Sequence, residues 1–349
     1  MAAYDAEARA HDRGGEETAP SCAHSGQDAF DGPIAGRNPT LIALRDPQCL
    51  LNGATMQWLP AHEAHAIERV SLTFHFAEAL PAKPFQVLLE QASSIIHAAG
   101  FSGGADEHEL SGGPQVTPLG GPGIGFQISI GPRADLGMTT APKMVVAGRT
   151  FQMHVDGQLR EEIELRRSHF VHTSQIYGGW EAHRSRVMSL IGESLNRALP
   201  LTNLAAIKME YWDRFVFDGL PMDAVYGDLL QLGSRYLPNF PRGSNQLWHS
   251  HVGFFVPGAD RRLVNINVDA VDVTMVPAFN EPPGPPQQRR SVGLYTLVQD
   301  SIAPAASPGN AEGTISTLEA LHTTLKEEFA AVITAEAADR ISLKARAHS

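Results

Sequence analysis

The chain of 349 residues lacks most features that mark a secreted or membrane protein. Its two cysteines, Cys22 and Cys49, provide neither a disulfide framework nor the paired spacing of a zinc site. No run approaches eighteen apolar residues, and the first thirty residues contain no apolar segment after a basic start. We therefore predict a soluble, cytoplasmic protein of bacterial type with no membrane partner.

Positive charge is also scarce. The chain has 27 Lys and Arg residues against 38 Asp and Glu, which gives a formal net charge of −11. Its three arginine pairs are scattered along the sequence. A nucleic-acid-binding protein normally presents a basic surface. We therefore expect no nucleic-acid partner.

Motifs for catalysis or cofactor binding are missing as well. No serine stands in a Gly-x-Ser-x-Gly setting, and no carboxylates can be paired from sequence. The glycine-rich stretch 102–125 is not followed by the Lys-Ser/Thr of a phosphate-binding loop. His62 and His65 are three residues apart, whereas the zinc-protease helix needs four. The sequence therefore predicts no cofactor and favours a protein that is not an enzyme.

What is present is enough apolar sequence for a substantial core, since 43% of the residues are hydrophobic. Composition changes along the chain divide it into segments. We predict a disordered tail at 1–38, an apolar arm at 39–66, an α+β body at 67–300 with a long Gly/Pro-rich loop at 102–125, a disordered link at 301–313, and a C-terminal helix packed on the body at 314–343.

Period-two and period-3.6 patterns predict the elements of the body. The predicted strands are 67–76, 126–130, 144–147, 151–155, 162–171, 207–217, 247–256, 263–268 and 291–298. The predicted helices are 84–99, one that begins at Trp180, 222–232, and a C-terminal helix opened by a Ser316–Glu319 capping box. Asp156-Gly157 is typical of a tight hairpin turn.

The best-patterned stretch is 166–219, which predicts a strand, a helix and a second strand that bury one surface together. With the elements around it, it predicts an α+β fold: mostly antiparallel sheet, two strand-helix units packed on one face, and the C-terminal helix. We interpret this stretch as architecture, with Trp180 and Tyr211 as packing residues.

Three short motifs carry a resemblance to a known family. They are Tyr177-x-x-Trp180, the strand 208–215, and the C-terminal pattern formed by Leu318, Leu321, His322, Phe329, Ile333 and Thr334. In these, residues 67–343 resemble a sporadically distributed bacterial family of uncharacterised proteins. The resemblance implies an α+β body and supplies no catalytic residue. Glu210, Trp212 and Asp213 stand where that family usually has Arg, Ile and Asn.

Two late strands predict a shared polar face. The apolar residues Trp248, Val252, Phe254 and Val256 of 247–256 share the even face, as do Val264, Ile266 and Val268 of 263–268, so even residues should oppose even ones. The opposite face would then carry His249, His251, Asn265, Asn267 and Asp269. We predict any binding site there, supported from behind by 166–219. Apolar residues move to odd numbers after Ala270, which predicts a β-bulge.

Two functions remain open. The first is a non-catalytic protein-interaction or accessory module that binds a protein partner or itself, with exposed loop aromatics such as Tyr236 and Phe240. The sporadic distribution of the family that the chain resembles implies an association with mobile bacterial defence or toxin-type systems. The alternative is a metal- or small-molecule-dependent enzyme that uses the His249/His251/Asp269 face.

Overall fold

A computed structural model describes most of the chain from Gln57 to Leu343. The described residues are 57–111, 116–118, 126–128, 143–239, 245–257, 261–275 and 285–343. The predicted tail 1–38, residues 39–56 of the predicted arm, both cysteines, Phe240 and most of 112–125 lie outside these ranges.

Twelve strands occur among the described residues. They are β1 (Trp58–Pro60), β2 (Ile67–Phe76), β3 (Ser102–Ser111), β4 (Val116–Pro118), β5 (Phe126–Ile128), β6 (Lys143–Val155), β7 (Gln158–Arg166), β8 (His169–Ser174), β9 (Leu204–Phe217), β10 (Trp248–Phe255), β11 (Arg262–Met275) and β12 (Gln287–Ser301). Ten of them form one antiparallel sheet in the order β10-β11-β12-β9-β2-β8-β7-β6-β3, with β1 paired to β9. β4 and β5 pair with each other.

Four α-helices accompany the sheet. They are α1 (Ala82–Ala98), α2 (Trp180–Ala198), α3 (Ile315–Ala330) and α4 (Ala335–Arg340). The molecule is therefore α+β, mostly antiparallel sheet with a few helices, one of them C-terminal. No helix in the described part of the chain is long and apolar enough to cross a membrane.

The core lies on the face of the sheet that the helices cover. Register places Val70 opposite Tyr211, Leu72 opposite Met209 and Val298 opposite Met209, so these buried side chains all project to one side. Helix α3 packs against β9 and β12, and α1 packs against α2 and β6. Alternation along each strand sends the next residue to the opposite face, which is more polar.

Several predicted elements are confirmed. Strand β2 has the predicted bounds, α2 begins at Trp180, and the Asp156-Gly157 turn joins β6 to β7. Asp156 has a φ of 52° and Gly157 one of 74°, as a tight hairpin of this type requires. Trp248 pairs with Ala270, so even residues of β10 and β11 oppose each other as predicted.

Other predictions about strands are wrong. The predicted loop at 102–125 begins as the ten-residue strand β3, paired along β6. The segment 162–171 spans two strands, β7 and β8, rather than one. The bulge after Ala270 does not form, because β11 pairs with β12 without a shift from Arg262 to Met275. Val271 and Val273 are half-buried on the polar face instead.

Predictions for loops and helix ends also need correction. The segment 222–232 forms two 3₁₀ turns instead of a helix. The predicted disordered link is packed, since Ala311 is buried and its N–H donates to Asn196 Oδ1 at 2.9 Å. No side chain caps α3, so the predicted capping box is absent. Tyr236, expected to be exposed, is buried and donates its hydroxyl hydrogen to Glu328.

Candidate ligand-binding site

A cavity of about 540 Å³ lies on the helical side of the sheet. Its lining comes from four separate parts of the chain: 64–67, 177–180, the strand residues Tyr211 and Asp213, and C-terminal residues between His322 and Leu343. Ala64 and Ser342 are exposed and mark its mouth, whereas Ala66, Tyr211 and Asp213 are buried. Pockets of this size accommodate small organic molecules.

Strand β9 places the two most polar side chains of the cavity floor. Its odd-numbered residues project toward the helices, and Met209 and Phe215 are buried there with Tyr211 and Asp213. Next to Asp213, the pairing of β2 with β9 shifts register between Ile67 and Arg69, which is a β-bulge. An acidic residue therefore lies on an otherwise apolar face.

The carboxyl group of Asp213 is buried and incompletely satisfied. The residue is 4% exposed, and its Oδ2 has no hydrogen-bond partner among the described residues. Burial raises the pKa of Asp213 well above its ordinary range, and the nearby negative charge of Glu68 raises this pKa further. The group therefore holds a proton to higher pH than an exposed aspartate.

Three polar side chains form a hydrogen-bonded row beside Asp213. The hydroxyl oxygens of Tyr177 and Tyr211 are 3.3 Å apart, and the Tyr211 hydroxyl is 3.2 Å from His322 Nδ1. Burial raises the pKa of Tyr211 well above its usual value and lowers the pKa of His322 to about 4. At neutral pH the row is therefore uncharged.

Trp180 forms one wall and is held by α3. Gly179, which precedes it, has a φ of 97°, a conformation that favours glycine. The indole ring stacks on His322 with ring centroids 4.5 Å apart and an interplanar angle of 10°. Its Nε1–H donates to Glu319 Oε2 at 2.9 Å, and Arg184 also pairs with Glu319. Glu319 thus joins α3 to α2.

His65 provides a second incompletely satisfied group. Its ring packs edge-on against Tyr177 with centroids 5.4 Å apart, and its Nδ1 is buried without a hydrogen-bond partner among the described residues. Burial, followed by the neighbouring His62, lowers the pKa of His65. The cavity therefore contains two polar groups, on His65 and Asp213, that a ligand could satisfy.

A buried polar cluster lies behind Tyr177. Glu161 is 4% exposed and pairs with Arg186 at 2.8 Å. His172 Nε2 is 3.6 Å from Glu161 Oε1, and the His172 and His183 ring centroids are 5.3 Å apart. The His183 ring lies 6.0 Å from that of Tyr177. The cluster therefore reaches the cavity lining through the contact of His183 with Tyr177.

The structure brings the predicted late-hairpin residues onto one face, away from the cavity lining. His249 pairs with Asp269 and His251 with Asn267 across β10 and β11, and both histidines are exposed. Asp269 Oδ1 accepts a hydrogen bond from the Gly293 N–H at 3.0 Å, so it is directed toward β12. Asn265 pairs with Gly253 on the same face.

Within the described residues, no group of three or more His, Cys, Asp or Glu side chains has an arrangement suited to a metal ion. The sheet-face hypothesis therefore has no preformed metal cluster to support it. Binding of another ligand at this face stays a prediction.

Sequence reasoning named the main polar and aromatic residues of the cavity but assigned them no binding role. Tyr177, Trp180 and His322 belong to the quoted motifs, and Asp213 was noted only as a departure from the family pattern. The available signal was Asp213 itself, a charged residue in phase with Met209, Tyr211 and Phe215 on an apolar strand face. No protein-family model and no curated protein sequence matches the chain.

Proposed function

We propose that the protein binds a small organic molecule in the cavity floored by Tyr211 and Asp213. One observation supports this proposal: Asp213 Oδ2 is buried without a hydrogen-bond partner among the described residues, at the floor of a cavity of about 540 Å³. A buried polar atom without a partner is costly, and a ligand that supplies the missing hydrogen bond recovers that cost. Apolar lining from Ile67, Leu325 and Phe329 provides the rest of the binding surface.

The two strand-helix units predicted from the sequence, β2 with α1 and β8 with α2, serve in this proposal as the frame of the cavity. Residues preceding β2 and residues between β8 and α2 contribute lining. A cytoplasmic location and self-association stay predictions from the sequence.

The test is binding of 2-phenylethanol, 3-phenylpropanoate and phenethylammonium, measured by ligand-observed NMR. Ala64→Trp places a large ring at the cavity mouth, and we expect it to weaken binding of any probe at least about tenfold. The matched control is Ala77→Trp, an exposed alanine outside the lining. Equal binding to both variants, or no binding of any probe to the unmodified protein, would contradict the proposal.

A second candidate is the protein-interaction module. It is supported by exposed apolar side chains on two segments that a hydrogen bond connects. Met222 is 71% exposed and Leu247 is 56% exposed. Asn245 Nδ2 donates to the Met222 carbonyl at 2.9 Å, which joins the segments. We expect Met222→Asp to reduce self-association or partner recovery. A monomeric mass and no partner recovered from the native host would count against it.

A further inference from the structure

The charges around Asp213 indicate which class of ligand the cavity would bind. The negative charge of Glu68 acts on its carboxyl group, although Glu68 is itself paired with Arg214 at 2.9 Å. In the described part of the chain, the causes of the raised pKa of Asp213 are burial and Glu68, and no positive charge is among them. The carboxyl therefore has a negative neighbour and no cation that offsets it.

Among the other titratable groups that line the cavity, Lys326 is the one that carries a positive charge. These groups are His65, Tyr177, Tyr211, His322 and Lys326. Burial lowers the pKa of His65 and of His322, so both rings are neutral at pH 7. Lys326 lies on α3, and its positive charge acts on His322 but is not among the causes that shift the pKa of Asp213. A cation next to Asp213 itself is thus the group that the cavity lacks.

The rings around this end suit a cation as well. Tyr177 lies 5.6 Å from Tyr211 between ring centroids, at an interplanar angle of 67°, and His65 meets Tyr177 at 84°. Electron-rich ring faces attract ammonium groups, most strongly where water is excluded. Apolar residues such as Leu325 and Phe329 cover the remainder of the lining.

We propose that the cavity selects molecules with a protonated amine or amidine attached to an apolar body, and that Asp213 receives the cationic N–H. This inference rests on the proposed function, since it assigns a ligand class to the same cavity. Asp213 is the specificity-determining residue in it. Tyr177 and Tyr211, which also line the cavity, contribute cation–π attraction.

Binding of such a ligand is coupled to proton release. In the empty cavity burial raises the pKa of Asp213 well above its ordinary range, so the carboxyl group keeps its proton to higher pH than an exposed aspartate does. An ammonium ligand binds the carboxylate form, and the carboxyl proton passes to solvent. Affinity should therefore rise with pH, by at most about tenfold per unit, until pH exceeds the pKa of Asp213 or the ligand loses its own proton.

The experiment compares phenethylammonium with its neutral analogue 2-phenylethanol and with 3-phenylpropanoate by isothermal titration calorimetry. At pH 8 we expect phenethylammonium to bind at least about tenfold more tightly than the alcohol. Repeating the titration in two buffers of different ionisation enthalpy counts the protons released from the unmodified protein. Asp213→Asn, with its folding checked by thermal melting, should remove both the preference and the proton release.

The possible outcomes separate this inference from the proposed function. If 2-phenylethanol binds as tightly as phenethylammonium and Ala64→Trp blocks both, the cavity is a binding site but not a cation site. If phenethylammonium binds without proton release and equally well to Asp213→Asn, the role of Asp213 is wrong. If no probe binds, both proposals fail.

Discussion

Tyr211 and Trp212 are consecutive residues of β9, yet they belong to different chemical environments. Tyr211 projects toward the helices, is 3% exposed and hydrogen-bonds within the cavity lining. Trp212 projects to the opposite face, is half-buried, and packs under the guanidinium group of Arg69 at 3.8 Å. The two faces of one sheet therefore carry similar residue types at different burial.

The same contrast holds for acids and histidines. On the helical face Asp213 is buried with a free oxygen, whereas on the other face Asp269 accepts a backbone hydrogen bond. On the helical face His322 stacks on Trp180, whereas His249 is exposed at the edge strand. Residue type alone does not mark a site. Within the described residues, a buried polar atom without a partner occurs on both faces, at Asp213 Oδ2 and at Asn267 Oδ1, but of these two residues Asp213 lines the cavity and Asn267 does not.

The largest expected difference between the faces comes from removing one tryptophan on each. Trp180→Ala removes the stack on His322 and the hydrogen bond to Glu319, and we expect it to lower the free energy of unfolding by about 3–5 kcal/mol. Trp212→Ala on the polar face should cost about 1 kcal/mol. Urea denaturation measures both. Equal losses would mean that the polar face is packed as tightly as the helical one.

A smaller effect on the free energy of unfolding is expected when the pH is lowered. Burial lowers the pKa of His322 to about 4, whereas the unfolded chain binds the proton near 6.5. The unfolded state therefore takes up a proton first, and stability falls as pH drops from 6.5 toward 4. Replacing His322 by Gln should reduce this fall by roughly 1 kcal/mol, allowing for its partial exposure.

The pH effect is measured as the difference between the unmodified protein and His322→Gln in urea denaturation at pH 7, 6, 5 and 4. Glu161, whose Arg186 and His172 neighbours outweigh burial and hold its pKa at about 2, contributes equally to both proteins. A constant difference across this range would show that His322 is not a buried neutral ring.

The sequence predicted those features that depend on local periodicity. Alternation in β2 and β9 identified the buried face, and the matching parity of Trp248 and Val264 correctly predicted how β10 pairs with β11. The β-bulge predicted after Ala270 is absent. The prediction assumed that Val271 and Val273 must lie on the face of the sheet that covers the core. They are half-buried on the polar face, which a pattern of apolar residues alone cannot reveal.

The cavity could not be predicted because it depends on contacts between distant segments. Tyr211 meets His322 across 111 positions, and Trp180 meets Glu319 across 139. Locally, Ser316 and Glu319 satisfy the capping-box pattern, but the Glu319 carboxylate is used by Trp180 and Arg184 instead. Likewise, the predicted helix 222–232 contains Gly227, and Gly233 with a φ of 97° follows it, so the segment turns rather than continuing.

The smallest expected effect concerns the late hairpin. The rings of His249 and His251 are exposed on the edge strand, so replacing both by alanine should change the free energy of unfolding by less than about 0.5 kcal/mol. Probe affinity in the cavity should not change, because neither residue lines it. The informative measurement is metal content by mass spectrometry beside urea denaturation. If the unmodified protein contains stoichiometric metal and the double variant does not, the functional site lies on the polar face. An exposed histidine pair contributes to function only through a ligand that it binds.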